Sequence, residues 1–96
     1  MPQYLLLIQG NATSEASSAQ WNHFFASARD SGLFKGGSAI GDRTVVGNQA
    51  TAKPSGHIVG FMRFDSDDRQ AIIDLLAIHP VVLHGGSVEL CEMPKS

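Results

Sequence analysis

The sequence predicts an α+β fold with the element order β-α-β-β-α-β. Three observations carry that expectation. Tyr4-Leu5-Leu6-Leu7-Ile8 and His57 to Phe64 are short, strongly apolar runs bounded by turn residues, as strands are. Trp21, Phe24, Phe25 and Ala28 fall at i, i+3, i+4 and i+7, the spacing of one helical face. Ser87 to Met93 alternates near the end of the chain, as a half-buried strand does.

The first strand has no polar interruption, so both of its faces are expected to be covered. Gly10-Asn11 ends it. Thr13 or Ser14 is then the expected cap of the first helix, with Glu15 near its positive end. Gly32, after Ser31, suits the left-handed position that stops a helix. Leu33 to Ile40 reads as a second strand interrupted at Lys35-Gly36-Gly37-Ser38. Paired glycines there indicate a bulge or a close backbone approach. Thr44-Val45-Val46 is expected to continue this edge, and 47–56 to form a polar loop turning at Lys53-Pro54-Ser55-Gly56.

In the third strand Ile58, Gly60, Met62 and Phe64 share one face; His57, Val59, Phe61 and Arg63 share the other. Asp65 or Ser66 is expected to cap the second helix, with Asp67 and Asp68 in its first turn. Ala71, Ile72, Leu75, Leu76 and His79 give its inner face, and Pro80 ends it. In the last strand Val88, Leu90 and Glu92 oppose Ser87, Glu89, Cys91 and Met93.

This order is the split βαβ, or ferredoxin-like, arrangement: a four-stranded antiparallel sheet with two helices on one face. The other face, Val59 and Phe61 above all, is too apolar to leave in water. A homodimer that stacks two sheets about a twofold axis would cover it. Pockets are expected between sheet and helices, or where subunits meet.

The totals narrow the function classes. Ninety-six residues read as a single domain, 1–96, with a thin core. The net charge is −2 and the seven basic residues are scattered. Neither nucleic acid nor an anionic membrane is an expected partner. The first ten residues show no secretory pattern and are too short to cross a bilayer, so a cytoplasmic location is expected. Cys91 is alone, which rules out an intramolecular disulfide and a thiolate cluster.

Four stretches together resemble one family. They are Tyr4-Leu5-Leu6-Leu7-Ile8, Gly60-Phe61, the Asp-rich start of the second helix, and His79-Pro80 followed by Gly85-Gly86-Ser87-Val88-Glu89-Leu90. The chain resembles the YCII-related family, which includes the DGPF-domain proteins, over nearly its whole length. The Pro-x-x-x-x-Gly-Gly-Ser-Val-Glu stretch is the most specific part. The resemblance implies a dimeric α+β barrel. It also implies a small enzyme without a cofactor, in which a His–Asp pair performs lyase-like acid–base chemistry, as in a relative that dehydrochlorinates a chlorinated hydroxyquinol. Two departures stand out, beside one match. The family's helix histidine falls at about Trp21, with His23 two residues later. Its aspartate is matched close to Asp42. Gly47-Asn48-Gln49-Ala50-Thr51-Ala52-Lys53-Pro54 stands where the Asp-Gly-Pro-Phe motif would be.

His79, Asp42 and His23 are therefore the candidate catalytic residues, each beside a plainer reading. His79 is a proton shuttle, or a helix-end histidine bonded to the last carbonyls, where a helix C-terminus favours the charged ring. Asp42 orients an imidazole, or makes a Gly-Asp turn. His23 replaces the absent histidine, or lies half-exposed on its helix. Trp21 and Phe24 are candidates for the apolar wall of a pocket. Arg63 and His57 are candidates for holding an anionic group, or for ion pairs at the sheet's ends. Paired glycines after His84 make a turn or admit a ligand. No His-x-His or His-x-x-x-His pair occurs, and no metal or cofactor is expected.

Three functions follow as expectations: the cofactor-free acid–base enzyme acting on a small aromatic or anionic ligand; a non-catalytic ligand-binding or interaction dimer; and, by fold analogy alone, a cofactor-free monooxygenase. An imidazole meeting Asp42 in a cavity would favour the first, and an exposed Asp42 far from every histidine the second.

Overall fold

The computed structural model describes residues 1–95. The apolar run near the N-terminus becomes β1 (Gln3–Gln9), and its continuous hydrophobicity has a simple cause: β1 is a central strand. It pairs antiparallel with β3 (Ile58–Asp65) on one side and with β4 (Val88–Met93) on the other. β2 (Phe34–Ala39) pairs with the outer edge of β3, giving the order β2-β3-β1-β4. Each of the two crossovers, β1-α1-β2 and β3-α2-α3-β4, leaves a gap that a strand from the other half fills. The fold is α+β and ferredoxin-like.

Register decides which side chains form the core. Leu6 lies opposite Met62 and Leu90, and Tyr4 opposite Phe64 and Glu92. Tyr4, Leu6, Ile8, Met62 and Phe64 thus share the face on which the helices pack, and all are buried. α1 (Ser18–Asp30) adds Phe24 and Ala28, and α2 (Arg69–Leu76) adds Ile72 and Leu76. The opposite face carries Leu5, Leu7, Phe61, Cys91 and Met93, which are half-buried, and Val59, which is 42 % exposed. Among the described residues no element covers that face. The molecule is accordingly a thin slab, 43 × 38 × 18 Å, about one sheet and one helical layer deep.

The expected elements form with four differences, each with a local cause. α1 starts at Ser17, not at Thr13 or Ser14: Ser17 Oγ accepts from the Gln20 N–H while Gln20 Oε1 accepts from the Ser17 N–H, a reciprocal cap. Thr13 and Ser14 are occupied elsewhere, by His84. α2 starts at Asp68, whose carboxylate accepts from the Gln70 N–H; Ser66 is buried beneath it and holds the Asp68 backbone. Thr44-Val45-Val46 forms no strand and is exposed, Val46 to 91 %. Arg43 accounts for this, since its guanidinium bonds the carbonyls of Ser55 and Ile58 and ties residues 43–58 into a loop of their own. Finally, Pro80 opens a third, short helix, α3 (Pro80–Leu83), rather than merely closing the second. Proline tolerates the first position of a helix, where an N–H is not needed.

The glycine pair in β2 makes the expected bulge. The register against β3 shifts between Phe34 and Gly36. At Gly37 a Cβ would stand 2.3 Å from the Phe61 carbonyl oxygen, so the two backbones approach too closely for any side chain.

Candidate functional site

On the helix-covered face, the sheet runs out of side chains at one corner. Ala39 lies opposite Gly60, and Gly60 opposite Ile8. Two neighbouring positions thus offer a methyl group and a hydrogen where the rest of the face offers Leu, Met and Phe. The space left is a cavity of about 330 Å³. Trp21 and Phe25 from α1, Phe34 from β2, Ile8 from β1, Met62 from β3 and Val81 from α3 surround it. Trp21 and Phe25 stack with ring centroids 5.8 Å apart, and Phe25 meets Phe34 at 6.1 Å. Among the described residues no ionisable side chain lines the cavity. Such a space is complementary to an apolar molecule and offers a carboxylate no cation to pair with.

His79 lies one layer behind this wall. Its ring meets the Trp21 ring edge-on at 5.3 Å and the Phe24 ring at 4.7 Å, and its exposure is 0 %. The chain turns there in extended conformation to cap α3, and His79 Nδ1 accepts from the Val81 N–H. The opposite nitrogen, Nε2, is buried without a partner. The expectation of a charged imidazole at a helix C-terminus is thus corrected. His79 stands at a helix N-terminus, and burial among aromatic rings pulls its pKa down to about 4. At neutral pH the ring carries no charge.

The other expected residues are spread over the molecule. Trp21 lines the cavity, whereas Phe24 is buried in the core beneath it. His23 is exposed on the solvent side of α1. Asp42 is exposed in the loop after β2, and among the described residues no hydrogen bond joins it to a histidine. Arg63 is exposed on the open face of β3, and His57 is exposed just before that strand; neither lines the cavity. Among the described residues no three His, Cys, Asp or Glu side chains cluster as metal ligands would.

Sequence reasoning passed over one polar cluster. His84, half-buried after α3, bonds Ser14 Oγ through Nδ1 at 2.7 Å and Gln20 Oε1 through Nε2 at 2.8 Å. The partners lie 70 and 64 residues away in sequence, so no local motif announces them. The available signal was the Gly85-Gly86 pair, which marks a close backbone approach.

Among the described residues no helix is long and apolar enough to cross a membrane. No protein-family model matches the chain, and neither does any curated protein.

Proposed function

We propose that this chain is a YCII-type protein that binds a small, uncharged, aromatic or otherwise apolar molecule between α1 and the sheet, and that it does so as a homodimer. The cavity carries the reading: about 330 Å³, lined by Trp21, Phe25, Phe34 and Phe61 with mostly small or aliphatic residues between them, and with no ionisable group in its lining. That volume suits a compound of one or two fused rings. The binding-module reading stands ahead of His/Asp acid–base chemistry because His79 and Asp42 are apart. One is sealed behind Trp21 and the other lies in an exposed loop. It also replaces the anionic ligand by a neutral one, since neither Arg63 nor His57 lines the cavity.

The dimer rests on the open sheet face. Leu5, Leu7, Phe61, Cys91 and Met93 form an apolar surface on a slab with no second helical layer, and an equivalent face on a second copy matches it in chemistry. A cytoplasmic location accords with the lone free Cys91.

Isothermal calorimetry with a matched pair of ligands tests the binding reading. Naphthalene is expected to bind, and 2-naphthoate, of nearly the same shape, to bind at least about a hundredfold more weakly because its carboxylate loses water without gaining a partner. Ala39→Phe, which fills the cavity from the strand edge, is expected to abolish binding of both. Equal affinity for the two ligands, or naphthalene binding untouched by Ala39→Phe, would refute it.

A further inference from the structure

The geometry points to a second site, independent of the cavity: Ser14 is a nucleophile, activated by His84 and accepting acyl groups from activated esters or thioesters. The argument begins with Gln20. Its Oε1 accepts from the Ser17 N–H at 2.9 Å as half of the α1 cap, and a backbone N–H can only donate. The side-chain amide is therefore fixed with its oxygen toward Ser17, and the same oxygen lies 2.8 Å from His84 Nε2. An oxygen that only accepts requires Nε2 to carry the proton. Nδ1 of the neutral ring is then a bare lone pair, and the hydroxyl 2.7 Å from it, that of Ser14, must donate. The chain Ser14 O–H to His84 to Gln20 is a hydroxyl beside a base, with the base oriented by a third group.

The surroundings hold this arrangement in place. Thr13 donates to the His84 carbonyl through both its N–H, at 2.9 Å, and its Oγ1, at 3.0 Å. Asn11 Oδ1 accepts from the Ser87 N–H at 2.8 Å. Residues 11–14 and 84–87 are thereby zipped together, and the two glycines between His84 and Ser87 make that possible. Gly85 has φ +83°, and a Cβ on it would stand 2.9 Å from Thr13 Oγ1. A Cβ on Gly86 would stand 2.9 Å from the Ala12 nitrogen. Ser14 itself is exposed, so a reagent can reach it, while His84 is half-buried and held at both nitrogens.

In the reaction, Ser14 Oγ forms a bond to the acyl carbon as the bond from that carbon to the leaving oxygen or sulfur breaks. The hydroxyl proton passes to His84 Nδ1 and from there to the leaving group. The products are an O-acylated Ser14 and an alcohol or thiol.

The test uses the full chain and p-nitrophenyl acetate, with released nitrophenolate read by absorbance and the acetylated residue located by peptide mass spectrometry. Ser14 is expected to acetylate about tenfold or more faster than the exposed Ser18 and Ser55 in the same sample. His84→Gln is expected to slow Ser14 acetylation by roughly a hundredfold, the usual worth of a general base. Gln20→Glu, which keeps the acceptor and adds a charge to stabilise the imidazolium, is expected to accelerate it. That variant also keeps the test decisive if His84→Gln fails to fold. Acetylation of Ser14 no faster than of Ser18 and Ser55, or a Ser14 rate unchanged in Gln20→Glu, would overturn the assignment.

Discussion

The imidazole of His79 meets the indole of Trp21 edge to face, 5.3 Å between centroids and at 81°. One residue is sealed in the core and the other faces the cavity, so the contact links a titratable group to the wall of the proposed binding site. Protonation of His79 would place a cation among aromatic rings with one nitrogen unpartnered and the other already accepting from Val81. Burial makes the folded protein resist that proton.

Stability is therefore expected to fall with acidity in a defined window. The folded-state pKa, about 4, lies below the ordinary value of 6.5. Between those values the unfolded chain binds a proton that the folded chain does not. The contribution is complete above pH 6.5 and declines as pH falls toward 4, by up to about 3 kcal/mol. Urea unfolding from pH 7.5 to 4.5 measures it. His79→Asn keeps an acceptor for the Val81 N–H but does not titrate, and is expected to lose this part of the slope while the carboxylate contribution remains. A slope identical in the two proteins would exclude His79 as its source.

Two glycines should respond oppositely to alanine. At Gly37 the new Cβ would press on the Phe61 carbonyl and the Met62 backbone, neither of which can swing aside. Gly37→Ala is expected to cost about 1–3 kcal/mol, as overpacking does. At Gly41 a Cβ meets nothing within 4 Å and φ is not positive, so Gly41→Ala is expected to be neutral or to stabilise by up to about 1 kcal/mol. Thermal melts of both variants decide this, and equal destabilisation would mean that β2 does not approach β3 as described.

The open sheet face gives the proposed dimer its test. Leu7 and Phe61 are paired neighbours across β1 and β3 on that face. In sedimentation experiments the wild-type chain is expected to run as a dimer and Leu7→Lys as a folded monomer, because desolvating a lysine between stacked sheets costs more than its cross-strand neighbour Glu89 returns. A monomeric wild type, or a dimer indifferent to Leu7→Lys, would mean that this face is not the interface.

Most of the fold was legible in the residues because it depends on patterns that are local and periodic. The alternation at Ile58, Gly60, Met62 and Phe64 and the helical spacing of Trp21, Phe24, Phe25 and Ala28 assign the covered face of the sheet and the inner face of α1 without reference to any partner. What escaped depends on contacts distant in sequence. Thr13 and Ser14 are good capping residues by composition, yet His84 claims them and the cap moves to Ser17. Val45 and Val46 have strand-like chemistry, but Arg43 ties their segment into a loop. His79 had the right residue type for catalysis; its burial and its place before α3, which fix its charge, are set by packing against Trp21 and Phe24. The cavity was present in the sequence only as small residues, Ala39 and Gly60, whose juxtaposition needs the β2–β3 register.

The most direct measurement of the central claim is a crystal structure of the protein soaked with 1-bromonaphthalene, with bromine located by its anomalous signal. The account predicts one principal peak between α1 and the sheet, among Trp21, Phe25 and Phe34. A principal peak elsewhere, such as on the open face beside Leu5 and Cys91, or a cavity left without bromine, would contradict it.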